Sequence, residues 1–159
     1  MANSSFSKDG DRKTSDELLS LLKLAWSNGY KSEVLQADIY EDVISLVKLL
    51  TCGEVKLYSY SKLPSDLQKL FLVNSNQGDL TEYFADHLVA SNDKDNNNVN
   101  LSEKLKSLVE GSLKRTLAEV LYLTQSYDAA KTANELGMKS CFVLRNDGDD
   151  VTEEQLQTG

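Results

Sequence analysis

Helix-period and strand-period segments alternate from residue 38 to residue 145, an order that predicts an α/β fold with a parallel, doubly wound sheet. Two further observations agree. The joints between segments fall on turn and cap residues: Asn28-Gly29, Cys52-Gly53, Asn74 to Gly78, and Gly137. The chain also has 159 residues, 40% hydrophobic and 26% charged, enough for one domain with a real core.

The elements follow in order. Residues 1–13 are polar and predict a disordered leader. Thr14 with Glu17 reads as a capping box that opens a helix, and Leu18, Leu21, Leu22 and Ala25 recur at helical spacing up to Asn28-Gly29. Leu18, Leu19, Leu21, Leu22, Leu24 and Trp26 make this helix apolar on more than one face, which predicts burial on two sides. A second helix is predicted from about Ala37 to Leu50, through Ile39, Val43, Ile44 and Val47. Val55 to Ser59 alternates and predicts a strand. Leu63 to Asn74 returns to helical period, with Pro64 in the first turn. Phe84 to Ala90 predicts a short strand, and residues 91–100 (SNDKDNNNVN) a mobile polar connector. Asn100 and Glu103 cap a helix carrying Leu101, Leu105, Leu108 and Val109. Val120 to Thr124 is a strand, Ser126 to Leu136 a helix stopped by a left-handed Gly137, and Ser140 to Arg145 a further strand. Val151 to Leu156 closes with a short helix. The domain reading is a leader 1–13, a helical segment 14–50, and an α/β core 51–159 holding the connector 91–100.

Charge and composition exclude several functions. The net charge is −8, from 25 acidic and 17 basic residues, so nucleic acid and anionic membranes are poor partners. No apolar run is long enough for a transmembrane helix, and the N-terminal residues lack the apolar stretch of a signal peptide. Cys52 and Cys141 have no spacing motif and point to a reducing compartment, the cytoplasm or nucleus. His87 and the two cysteines fall in different elements, which argues against a zinc site. Asp147 to Asp150 lacks the Ca²⁺-loop pattern and reads as a solvated acidic turn.

A collinear series of short segments carries a family resemblance: Trp26 to Tyr30, Ile39 to Asp42, Val55 to Ser59, Gln68 to Phe71, Gly78 to Leu80, Tyr83-Phe84, Val120 to Thr124, Ala129-Ala130, Ala133, Gly137-Met138, Arg145 and Thr152 to Glu154. Through them the chain resembles the enolase-phosphatases (acireductone synthases) of methionine salvage, within the haloacid dehalogenase superfamily. The likeness covers roughly residues 22–156 and only the C-terminal part of such an enzyme. It implies a truncated or rearranged haloacid-dehalogenase-like, Rossmann-like parallel sheet. The helical segment 14–50 would then be a cap remnant.

The departures sit where the chemistry would be. The family opens with a strand bearing two aspartates, a nucleophile and a general acid/base, and neither is present. Its phosphate-holding Ser-Ser-Gly-Ser reads Ser59-Tyr60-Ser61-Lys62 here, so Ser61 replaces the glycine that lets backbone amides approach a phosphate. The phosphate-balancing lysine falls near the neutral Asn100, with Lys104 and Lys106 close by. The Mg²⁺ aspartate is Gln125, a poor ligand for a hard dication. Losing one member of a covalent catalytic unit costs on the order of 10⁴–10⁶ in rate. The resemblance therefore implies no catalytic residue, no metal ligand and no cofactor, with Mg²⁺ only if the chain is part of an active enzyme.

The missing strand has a structural consequence. In the family it lies between the strand ending at Ser59 and the one ending at Thr124. Its loss would bare about ten backbone groups at about 1–3 kcal/mol each, against the roughly 5–15 kcal/mol that stabilises a domain. Three solutions follow: direct pairing of the flanking strands, strand donation by a partner, or a chain that is one piece of a longer protein. The expected function is a non-catalytic binding or scaffolding subunit, a pseudophosphatase with a protein partner or a homo-oligomeric state. The alternative is a partial chain of an active Mg²⁺-dependent enzyme hydrolysing a phosphorylated diketone. Ser59 has a plainer reading as a strand-end turn residue. Ser126 and Asp128 read as helix caps, and Tyr60 could fill the former phosphate pocket.

Overall fold

A computed structural model describes residues 8–90 and 101–145. The chain divides into two compact units between Ala90 and Ser91. The expected cap at Asn100, the connector 91–100, the acidic turn 147–150 and the helix 151–156 lie outside the described residues.

The first unit runs α1 (Lys8–Lys31), α2 (Glu41–Cys52), β1 (Leu57–Ser61), α3 (Ser65–Val73), a short 3-10 turn (Thr81–Tyr83) and β2 (Phe84–Val89). Helix α1 begins inside the stretch expected to be disordered and passes through Thr14 without a break. Nucleation is the costly step in a helix, so good formers such as Lys8, Arg12 and Lys13 extend it upstream at little cost. At its other end α1 passes Asn28-Gly29. A Cβ at position 29 would collide with the Leu35 side chain, so this glycine serves close packing rather than helix termination. Leu19, Leu22 and Trp26 are half-buried, while Leu18, Leu21 and Leu24 on the opposite side are 64%, 63% and 58% exposed. Among the described residues, α1 is covered on one side only.

Helix α2 starts at Glu41, later than its apolar pattern, because Ala37 is used elsewhere. The Ala37 N–H donates to Asn74 O at 2.9 Å, and Asn76 N–H donates to Ala37 O at 2.8 Å. Strand β1 likewise starts at Leu57 rather than Val55. Val55 N–H closes the end of α2 on Leu50 O at 3.0 Å, with Glu54 in the left-handed region at φ 60°. Pro64 precedes α3 instead of entering its first turn; its carbonyl accepts from Leu67 N–H at 3.0 Å and Gln68 N–H at 3.1 Å. Strands β1 and β2 pair in parallel, Ser59 opposite His87 and Ser61 opposite Val89, with a register break between Leu57 and Tyr58. Val47, Leu67, Leu72 and Leu80 form the apolar core of this unit.

The second unit runs α4 (Leu101–Lys106), a π turn (Ser107–Ser112), a 3-10 turn (Leu117–Glu119), β3 (Leu121–Thr124), α5 (Tyr127–Glu135) and β4 (Lys139–Phe142). Leu105, Val109, Ala129, Ala130, Ala133 and Met138 are its core. Gly137 takes φ +87° and ends α5 as expected, with Met138 N–H returning to Ala133 O at 3.0 Å. Strands β3 and β4 pair in parallel from Leu121 opposite Lys139 to Thr124 opposite Phe142. Helix α5 covers one face of this pair: Ser140 Oγ donates to Ala130 O at 2.9 Å, and Tyr127 meets Phe142 edge to face at 5.9 Å.

The class is α/β with parallel strands, as the alternation predicts. Among the described residues β1 pairs only with β2, and β3 only with β4. Among the described residues no helix is long and apolar enough to cross a membrane.

Candidate functional site

Ser59 lies within β1 rather than beyond its end. Its hydroxyl is within 2.6 Å of Gln68 Oε1 and 2.7 Å of His87 Nδ1. Gln68 Nε2 donates to two carbonyls, Leu63 O at 2.8 Å and Leu88 O at 3.1 Å. Those bonds fix the amide orientation, so Oε1 must accept, and Ser59 donates its one proton to it. His87 Nδ1 must then carry a proton and donate to Ser59 Oγ. Gln68 and His87 are only 5% and 6% exposed, which makes this a closed polar network joining β1, β2 and α3. Burial pushes the His87 pKa down; the charge of Lys69 adds to the effect and Asp86 opposes it. Phe84 packs beside the ring at 6.0 Å.

The remaining positions of the expected phosphate loop are also taken. Ser61 ends β1, and its Oγ accepts from Leu63 N–H at 3.1 Å. Tyr60 is half-buried and alternates to the other face of the strand. The start of α3 carries its own anion: Asp66 Oδ1 accepts from Leu67 N–H at 2.9 Å. Hydrogen bonding from Lys23 holds the Asp66 carboxyl below its ordinary range. A helix start that already faces a carboxylate attracts a phosphate less. The backbone from Ser59 to Pro64 includes no left-handed residue, so glycine is not required there by φ.

Gln125 lies in the bend after β3 and is exposed. Around it the polar groups cap α5: Thr124 Oγ1 accepts from Ser126 N–H at 3.1 Å, and Ser126 Oγ from Ala129 N–H at 3.3 Å. The capping expected of Ser126 is present. Asp128 sits exposed in the first turn of α5, and its carbonyl accepts from Thr132 Oγ1 at 2.7 Å. Asn100 lies outside the described residues, and Lys104 is half-buried in the last turn of α4. Cys52 and Cys141 are exposed free thiols.

The site residues missed by the sequence reading are Gln68 and His87. A single histidine in a short strand and a glutamine within an apolar helix face were visible. Their meeting with Ser59 depends on strand register, which no local pattern encodes.

No protein-family model matches the chain. It is similar to the enolase-phosphatase E1 of Anopheles gambiae, 32% identical over 149 residues, covering 91% of this chain and 47% of that protein. It is also similar to the enolase-phosphatase E1 of Shewanella amazonensis, 30% identical over 135 residues, covering 85% of this chain and 57% of that protein. Among solved structures, the UTR4 protein of Saccharomyces cerevisiae superposes with a TM-score of 0.69 at 19% identity, covering 86% of this chain and 61% of that one. The chain thus has a haloacid-dehalogenase-like fold and resembles enolase-phosphatases along most of its length. It spans about half the length of the curated relatives it matches.

These relatives correct one expectation. A chain without a cofactor is not what the comparison supports, because enolase-phosphatases are Mg²⁺-dependent. The described residues do not by themselves fit the ion. Among them no group of three or more His, Cys, Asp or Glu side chains could hold a metal, and Gln125 offers only a neutral amide oxygen. Carboxylates from outside the described residues would be needed to complete a Mg²⁺ site.

Proposed function

We propose that this chain is an enolase-phosphatase-like protein that acts by binding, as a scaffolding subunit, and does not hydrolyse phosphate esters by itself. The Ser59 network carries this reading. In a working phosphate loop the hydroxyl would be free to donate to a phosphoryl oxygen; here it donates to Gln68 and accepts from His87 inside a buried cluster. Recruiting it to a phosphate would leave Gln68 Oε1 without its donor, at about 1–3 kcal/mol. The neutral Gln125 and the occupied start of α3 support the same reading.

One observation favours a second reading. The relatives are about twice as long as the matched part, which suits a piece of an active, Mg²⁺-dependent enolase-phosphatase of methionine salvage acting on a phosphorylated diketone. Phosphate release separates the two. The purified chain is incubated with the phosphorylated diketone and Mg²⁺, alone and co-expressed with the N-terminal half of a full-length relative. The binding reading expects no release in either case. Release by the chain alone overturns it, and release only with the added half establishes the second reading.

A further inference from the structure

We infer that His87 is a proton-sensitive brace of the first unit. It rests as the neutral Nδ1–H tautomer and takes its second proton at Nε2. Once charged, it loosens β2 from β1 and α3 while the second unit stays closed. This goes beyond the binding reading and does not depend on it.

Donors run one way through the cluster. His87 Nδ1–H donates to Ser59 Oγ, Ser59 to Gln68 Oε1, and Gln68 Nε2 to Leu63 O and Leu88 O. The direction is fixed at its far end, because the two carbonyls can only accept. A histidine with Nδ1–H so committed keeps its lone pair, and with it its basicity, at Nε2. Acid therefore places a charge at Nε2 and breaks none of these bonds. All the groups involved lie between Ser59 and Leu88, within one unit.

The charge is what the closed cluster resists. The ring is 6% exposed, and Phe84 lies beside it at 6.0 Å, an apolar neighbour that does not replace water around an imidazolium. Two side chains act on the ring by charge: Lys69 on α3 opposes the proton and Asp86 on β2 favours it. Asp66 at the start of α3 is paired with Lys23, Glu82 in the turn before β2 is exposed, and β1 carries only the hydroxyls of Tyr58 and Tyr60 as titratable groups. The ring belongs to β2, and its polar partners belong to β1 and α3. An opening that returns it to water must part β2 from both. Local opening of this kind needs less free energy than unfolding the whole chain.

Two measurements on the 159-residue chain test the inference. Nitrogen NMR of the ring at neutral pH should place the single proton on Nδ1; a proton on Nε2 overturns it. Amide hydrogen exchange then compares the two units. Ala90 N–H donates to Ser61 O at 2.7 Å, and Leu88, two residues earlier, faces β1 in the same way. Val143 N–H, donating to Thr124 O at 2.8 Å, reports on the second unit. The open form binds the proton at higher pH than the closed form. Corrected for the intrinsic pH dependence of exchange, protection at Leu88 and Ala90 should fall by up to about tenfold per pH unit below about pH 6.5. The fall should stop where the ring becomes charged in the folded chain. Val143 should stay protected throughout. His87→Gln keeps a donor for Ser59 and cannot take the charge, so it should abolish the fall. Should that variant not fold, the NMR titration of His87 in the unaltered chain decides: the fall must end at the pH where the folded ring titrates. Constant protection of β2 over that interval overturns the inference. So does an equal loss at Val143, or a fall that persists in folded His87→Gln.

Discussion

Strands β1 and β3 both lead into a helix at the end where a parallel sheet of this fold places its chemistry, yet the two ends are finished in opposite ways. At β1 the polar side chains turn inward: Ser59, Gln68 and His87 satisfy one another in a buried cluster. At β3 they stay at the surface: Gln125 is exposed, and Ser126 and Thr124 serve only to start α5. The first end holds stability and the second holds surface. The positions that the resemblance assigns to one site are thus a buried cluster at β1 and an exposed helix start at β3. That contrast can be tested from either side, and the expected effects fall in a definite order.

The largest belongs to Gln68→Leu. It removes the acceptor for Ser59 and the donors to Leu63 O and Leu88 O, leaving several buried groups without partners. Destabilisation of roughly 2–4 kcal/mol is expected, read as a lower midpoint in urea followed by a probe in the first unit. An unchanged midpoint would mean that the cluster is ornamental and the contrast between the two ends false.

Acid acts on the same cluster. Burial lowers the folded-state pKa of His87 below its ordinary value near 6.5. The unfolded chain then binds the proton more readily, so this contribution to stability is complete above about pH 6.5 and is lost as pH falls from there toward the depressed folded value. The slope from this one group is at most about 1.4 kcal/mol per pH unit. A His87→Gln variant should flatten the profile over that window; an identical slope would assign the pH dependence to other groups.

The second unit gives smaller numbers. Ser126→Ala removes the cap on Ala129 N–H and should cost about 1 kcal/mol, measurable by thermal unfolding of the intact chain.

These differences also mark what the sequence made legible. Local chemistry was readable: the left-handed Gly137, the Ser126 cap and the short strand runs of β2 and β3 each depend on a few neighbours. Boundaries drifted wherever a distant residue claimed the backbone. Ala37 was drawn out of α2 by Asn74 and Asn76, and Val55 was kept out of β1 by Leu50. The candidate site was legible only as positions. Ser59, Tyr60, Ser61 and Gln125 could be named from the resemblance, but not what Ser59 touches. Its partners lie 9 and 28 residues away, and only the pairing of β1 with β2 brings them together.

The smallest expected effect is at Gln125, and it sharpens the contrast most. Gln125→Asp returns a carboxylate to the position where the resemblance implies a metal ligand. The side chain is exposed and precedes the helix start, so folding should change by no more than about 0.5 kcal/mol, with a slight gain from the positive end of α5. A strand end that is mere surface accepts the charge without other consequence. Mg²⁺ titration of this variant, followed by thermal shift, then asks whether one restored carboxylate assembles a site. Among the described residues there is no cluster of three metal-ligating side chains for it to join, so the shift should match that of the unaltered chain. A Mg²⁺-dependent stabilisation confined to Gln125→Asp would mean that further ligands stand near the end of β3, and that the two strand ends are less different than their hydrogen bonds make them.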